Sequence, residues 1–223
     1  FRSLCLDYYK LDPVHYYGTP GIAWDACLKM TRQILELIRD PDIHLFLERQ
    51  KRGGMSFAAH RYAEANNKYM ENYDATKKSS YLMYFDVNSL YSWTMCNPLP
   101  VGDFKWVDVK DKNKYMKDMI NNNQYNFMVE CDIEYPDNLH DLHNDYPLAP
   151  EKIVIDDFVK MSPYRKSIIK KFNKENNVKI RKSNVPKLIS SFLPKKNYVV
   201  HAKLLKYYSQ LGLKINITKI LTF

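Results

Sequence analysis

Residues 127–135 alternate without a break, with Phe127, Val129, Cys131, Ile133 and Tyr135 on one side and Met128, Glu130, Asp132 and Glu134 on the other. Successive side chains of a strand point to opposite faces, so the pattern predicts a strand with one covered face. The face carrying the acids reads as simply wet. Leu213, Ile215 and Ile217 alternate in the same way and predict another strand, just after Gly212. Residues 81–85 (Tyr-Leu-Met-Tyr-Phe) form a short continuous apolar run, the pattern of a buried strand. Helical spacing appears elsewhere. Trp24, Cys27, Leu28, Thr31, Leu35 and Ile38 predict an amphipathic helix to about Arg39, with Thr19 as cap and Pro20 in the first turn. Further helices are expected over residues 41–48, 111–121, 162–173 and 200–211. The last would carry Val200, Leu204, Tyr207, Tyr208 and Leu211 on one stripe and end at Gly212. Residues 65–80 are polar and mark the best internal boundary. Helices and strands mix without strict alternation, so the fold class is α+β.

Charge narrows the functional classes. From Val159 to Phe223 there are 16 Lys/Arg and a single acid, Glu175, whereas the remainder holds 18 bases and 24 acids. A basic block of this density beside a mildly acidic one is the footprint expected for phosphate backbones. No run of about 18 apolar residues occurs, which argues against a membrane partner. Cys5, Cys27, Cys96 and Cys131 are scattered without metal or disulfide spacing and read as thiols of a reducing, intracellular compartment. Neither end of the chain looks natural: it opens on Phe1 and closes on Phe223 in a strand-like run, so both read as cuts.

Asp86-Val87-Asn88-Ser89-Leu90-Tyr91 is the sharpest chemical feature. An aspartate leaving a strand into a tight turn and helix has a fixed direction, and the turn offers N–H groups to phosphate oxygens. Magnesium favours a few hard oxygens, typically carboxylates together with substrate phosphates. Asp86 and the Val87 carbonyl could supply part of such a set, with Tyr91 under a bound sugar. An aspartate in this position is otherwise a helix cap.

The hexapeptide resembles the first polymerase motif, D-x-x-S-L-Y-P, of family B DNA polymerases, and its form is closest to the protein-primed branch. Ser92 stands where the motif has proline. Lys51-Arg52-Gly53-Gly54 resembles the Y-x-G-G element that joins exonuclease and polymerase domains and touches the template, with Lys51 in place of the tyrosine. Residues 16–31, 146–152 and 198–223 resemble the polymerases of Maverick or Polinton mobile elements, in the same order along the chain. The resemblance implies an α+β fold in three parts. Residues 1–64 would be the end of an RNase H-like exonuclease domain and its connector. Residues 65–158 would be the first half of a polymerase palm with an antiparallel sheet, and 159–223 a basic insertion contacting DNA or a terminal protein. It also implies Asp86 as catalytic carboxylate, Asp86 and Val87 as ligands of Mg²⁺, and Asn88, Ser89, Leu90 and Tyr91 as the dNTP site. Lys51, Arg52, Gly53, Gly54, Lys195 and Lys196 are the expected contacts to a DNA primer–template. The implied activity is template-directed DNA synthesis, with protein-primed initiation on a terminal protein. The later motifs are not found, so these residues alone should be inactive.

Other features read as bland. Asp156-Asp157 is a surface pair, and His140 and His143 make an HxxH pair in an acidic loop without a third ligand. Tyrosines and lysines of residues 195–208 could stack bases, although a helix stripe is more often core. Two other classes stay open. One is a non-catalytic nucleic-acid-binding remnant of a mobile element, and the other a structural domain in which Asp86 is only a cap. Steep salt dependence without dependence on Asp86 would mark the first, and loss of melting temperature in Asp86→Ala the second.

Overall fold

The computed structural model describes residues 1–121, 126–154, 162–179 and 184–223. Its centre is an antiparallel sheet of four strands in the order β1-β6-β2-β5. These are β1 (Lys105–Val107), β2 (Phe127–Glu134), β5 (Lys195–His201) and β6 (Lys214–Thr222). The strand with the clean alternation, β2, lies in the middle, pairing with β6 along one side (Val129 opposite Ile220) and β5 along the other (Val129 opposite Val200). A separate two-stranded ribbon joins β3 (Glu151–Ile153) to β4 (Lys187–Ile189). The sheet thus draws strands from both sides of the boundary expected at residue 159, and the basic third of the chain supplies half of it.

Helices cover both faces of the sheet. On one side, Phe127, Val129, Cys131, Ile133 and Tyr135 pack with Leu205 and Tyr208 of α7 (Ala202–Gln210) and with Tyr115 and Met116 of α5 (Lys112–Asn121). On the other, Met128, Val199 and Leu221 pack against Ile43 and Phe46 of α3 (Pro41–Gln50). Asp40 caps α3 by accepting the Asp42 N–H. Because α3 sits here, the acidic face of β2 is not wet at its centre. Glu130 is 3 % exposed and its carboxylate accepts from Arg49 of α3 at 2.9 Å and from Thr218 Oγ1 at 3.0 Å. The buried charge is paired, as burial requires.

Other expectations need correction. The first long helix, α2 (Thr19–Thr31), ends at Arg32, which takes φ 55°. Residues beyond it do not continue as helix because Glu36 is drawn to another loop, its N–H bonding Val101 O and its carboxylate accepting the Asp103 N–H. Ile22 and Ala26 are its buried residues, while Trp24 is exposed. Gly18, not Thr19, is the cap residue. The final helix begins later than its periodicity suggests, since Tyr198-Val199-Val200 are strand, paired to β2. Its buried stripe is Ala202, Leu205 and Tyr208, turned one residue from the predicted one, and this leaves Leu204 and Tyr207 on the surface. Gly212 closes it with φ 92°, as expected. Helix α6 (Pro163–Glu175) forms near the expected span, capped by Ser162. A short helix α1 (Arg2–Tyr8) precedes all of these.

Candidate functional site

Residues 81–85 do not form the expected buried strand. All five side chains are exposed, Tyr84 at 92 %, and the run pairs with no strand among the described residues. An apolar run becomes a strand only when a neighbour takes its N–H and C=O groups. Here both edges of the central sheet are held by β1 and β5, and neither pairs with this run.

Asp86 follows, and its Oδ1 accepts the N–H of Val87 at 3.0 Å. The next helix, α4 (Leu90–Met95), has Ser89 as its cap residue at φ 51°, and no side chain caps it. Asp86 therefore caps nothing, which removes the structural reading of this carboxylate. Val87, Asn88, Ser89, Leu90 and Tyr91 are all exposed around it, Tyr91 at 84 %. The hexapeptide thus presents one free-standing carboxylate, a carbonyl and an exposed phenol. As hard oxygens, Asp86 and Val87 fit as donors to Mg²⁺ but do not complete a site. Among the described residues, no group of three or more His, Cys, Asp or Glu could hold a metal ion.

Lys51-Arg52-Gly53-Gly54 leaves α3 as extended backbone, with Lys51 as the end residue of the helix. Arg52 lies across the Tyr198 ring, its guanidinium carbon 3.8 Å from the centroid, and donates to Val199 O at 2.8 Å and Gln50 O at 3.1 Å. Arg52 is therefore an internal clamp, holding the connector onto β5. Lys51 pairs with Glu48 on the surface. A Cβ added at Gly53 or Gly54 would meet nothing within 4 Å, so internal packing does not demand glycine at either position.

The two expected DNA contacts in β5 part company. Lys195 is 1 % exposed, and its ammonium donates to Ser191 O, Ser191 Oγ and Leu193 O and pairs with Glu151 at 3.2 Å. All its donors are spent inside the protein, so Lys195 is a structural cation, not a phosphate contact. Burial also pulls its pKa down, opposed by Glu151. Lys196 points outward and pairs with Asp132 at 2.8 Å.

The HxxH pair is also structural. His143 Nδ1 lies 2.7 Å from the Tyr135 hydroxyl, which in turn accepts the Leu148 N–H, and the His140 ring stacks on Phe192 at 4.4 Å. Asp156 and Asp157 lie outside the described residues. Residues that sequence reasoning passed over, Tyr146 and Lys152, are carried by the fold to the Lys51–Gly54 connector, where they line a common cavity with Tyr198 and Tyr207. The only hint to them was their place inside stretches similar to known polymerases.

A family model described as DNA polymerase type B, organellar and viral, matches residues 69–219, a span containing the Asp86 hexapeptide, most of the sheet and α7. No curated protein and no solved structure matches the chain.

Proposed function

The chain belongs to the organellar and viral type B DNA polymerases, and from that premise we propose that Asp86 is one of the carboxylates with which the whole enzyme transfers deoxynucleotides to a DNA 3′ end. The family match across Asp86, together with a carboxylate that caps nothing, carries this reading. Mg²⁺, when bound, supplies charge stabilisation at the attacking and leaving oxygens. The residues of this chain that would hold it are Asp86 and the Val87 carbonyl, and a second carboxylate must join them. Asn88, Ser89 and Leu90 offer backbone N–H groups to a dNTP, and Tyr91 presents a ring for its sugar. Initiation on a terminal protein, and a primer–template as the working substrate, complete the proposal.

These 223 residues alone are proposed to be inactive, because two-metal transfer needs paired carboxylates and, among the described residues, Asp86 belongs to no group that could hold a metal ion. The deciding experiment is Mn²⁺ titration of the chain followed by paramagnetic broadening, beside primer extension with dNTPs. We expect weak Mn²⁺ binding that broadens Tyr91 and disappears in Asp86→Asn, with no extension. Mn²⁺ binding indifferent to Asp86→Asn would sink the assignment. Extension by this polypeptide, abolished in Asp86→Ala, would sink the inactivity instead. A non-catalytic nucleic-acid-binding remnant is the second reading, favoured by the acid-free groove along α7. It predicts strand binding with no Mn²⁺ site at Asp86.

A further inference from the structure

We propose that helix α6 (Pro163–Glu175) lies on an anionic lipid surface, with Tyr164, Ile168 and Phe172 entering the headgroup boundary and Arg165 and Lys171 meeting the lipid charges. This surface would act whether or not Asp86 binds a metal. The start of α6 is secured locally: Ser162 Oγ accepts the Arg165 N–H at 3.2 Å, and Pro163 occupies the first turn. Packing adds little to it. None of its residues is buried, and none belongs to either apolar cluster of the core. Helices of this length in folded proteins are usually held by an amphipathic face docked on the core.

The helix is amphipathic all the same. Tyr164, Ile168 and Phe172 recur every four residues and so share one stripe, yet they are 71 %, 48 % and 47 % exposed. Its other faces are basic. Arg165 and Lys171 border the stripe on its two sides, while Lys166, Lys170 and Lys174 form a row on the opposite face. The one acid of the helix, Glu175, lies 3.8 Å from Lys171. Like charges four residues apart repel, and a run of exposed apolar side chains is costly in water. One partner relieves both costs: a negatively charged surface with an apolar interior.

Other partners fit less well. A phosphate backbone would meet the lysines but leave Ile168 and Phe172 in water. An acidic protein groove suits the charge, but a groove-bound helix presents anchors at i, i+3, i+4 and i+7. Counted from Tyr164, two of those positions are Ser167 and Lys171. A lipid boundary takes a narrow stripe, because a tyrosine ring sits at headgroup level and Lys and Arg stems stretch along it to the charges. No described helix is long and apolar enough to cross a membrane. Lying on a bilayer needs no spanning run, so the lack of one does not exclude lipid as a partner. The lysine row, about 10 Å away across the helix, stays within a Debye length at about 0.1 M salt and adds to the attraction.

The test is sedimentation of the full 223-residue chain with vesicles of phosphatidylcholine, alone or mixed with phosphatidylserine. Wild type is expected to partition onto the mixed vesicles about tenfold more strongly than onto phosphatidylcholine alone. Ile168→Ser combined with Phe172→Ser keeps the net charge and should lower that partitioning about tenfold. Arg165→Gln and Lys171→Gln should each lower it about fivefold, and Lys110→Gln, exposed outside the helix, by less than either. Urea midpoints should stay near wild type, since none of the substituted residues of α6 is buried. Ile168→Trp should strengthen partitioning, so the stripe is tested in both directions. The proposal falls if wild type ignores the mixed vesicles, binds both kinds equally, or loses nothing in the serine variant. Vesicles ignored, with oligonucleotide affinity lost in the serine variant, would overturn it in favour of nucleic acid. Polyglutamate competing equally against wild type and serine variant would overturn it in favour of a generic cationic surface.

Discussion

Replacing Lys195 by methionine decides between two incompatible roles for the most buried cation described in the chain. As a phosphate contact, Lys195 would be exposed, and its loss would weaken DNA binding without touching stability. The structure buries it to 1 % and surrounds its ammonium with Ser191 O, Ser191 Oγ, Leu193 O and the Glu151 carboxylate. Lys195→Met keeps the length and packing of the stem but leaves three acceptors without their donor and Glu151 without its partner. Removing one member of a buried pair costs about 3–5 kcal/mol. Glu151 is 24 % exposed and recovers some hydration, so the lower half of that range applies. For a chain of this size, with a urea m-value of about 2–3 kcal/mol/M, the midpoint should fall by about 1–2 M. Lys196→Met is the control, because its pair with Asp132 is exposed and worth about 0–1 kcal/mol. Urea unfolding followed by tryptophan fluorescence measures both. A Lys195→Met midpoint indistinguishable from that of Lys196→Met, with oligonucleotide affinity lost in both, would refute the buried-ammonium argument and restore Lys195 as a DNA contact.

Three further outcomes follow from the same contacts. Arg52→Ala should lose about 1–3 kcal/mol in urea unfolding, since it removes a guanidinium stacked on Tyr198 and hydrogen-bonded to two carbonyls, and Arg52→Lys should recover only part. Glu130→Gln should cost about 1–3 kcal/mol, because it unpairs Arg49 and Lys219 from a carboxylate 3 % exposed, and Arg49→Met in the Glu130→Gln background should add less than it does alone. Alkali should unfold the protein earlier than its surface groups require. Burial pushes the Cys131 thiol from 9.0 up to about 12 and raises the Tyr198 and Tyr208 phenols. Groups whose pKa is raised on folding lend stability that is complete below their unfolded values and disappears as pH climbs towards the folded ones. The melting temperature should therefore hold to about pH 9 and drop steeply from there to pH 12, with Cys131→Val flattening the drop. Lys195 acts in the opposite sense, its pKa being lowered, and three raised groups outweigh it.

Where a residue's environment is set by its own strand or helix, the sequence was enough to read it. The alternation of residues 127–135 gave β2, and Gly212 closed α7. Misreadings cluster where a distant element decides. Glu130 alternates like a solvent-facing residue, yet α3, some eighty residues earlier in the chain, lies over it and supplies Arg49. Lys195 sits in a basic run that looks solvated, yet Glu151 of β3 and the Ser191 turn enclose it. Valine pairs such as Val199-Val200 suit a helix stripe and a strand alike, and only pairing to β2 chooses between them. The Asp86 hexapeptide was found by its order of residues alone, and neither periodicity nor charge marked it.

The two candidate regions differ in how far their surroundings carry them. The groove along α7 is walled by elements that also build the core: α7 contributes Leu205 and Tyr208 to it while presenting Leu204 and Tyr207 outward. Its shape is therefore fixed by the same packing that fixes the sheet, and rigid supports of that kind are what a strand-binding surface needs. Asp86 has no such support among the described residues. It follows five exposed apolar side chains and precedes a six-residue helix that buries none of its residues. So long an exposed apolar run is costly for a folded domain and suits a surface that another element covers. Ordering that run would give Asp86 the fixed direction that the proposed metal-assisted transfer demands, whereas the shape of the groove is already set by the core packing of α7. The packing of α7 should therefore be robust to changes at residues 81–91, whereas the proposed metal binding at Asp86 should depend on whatever covers them.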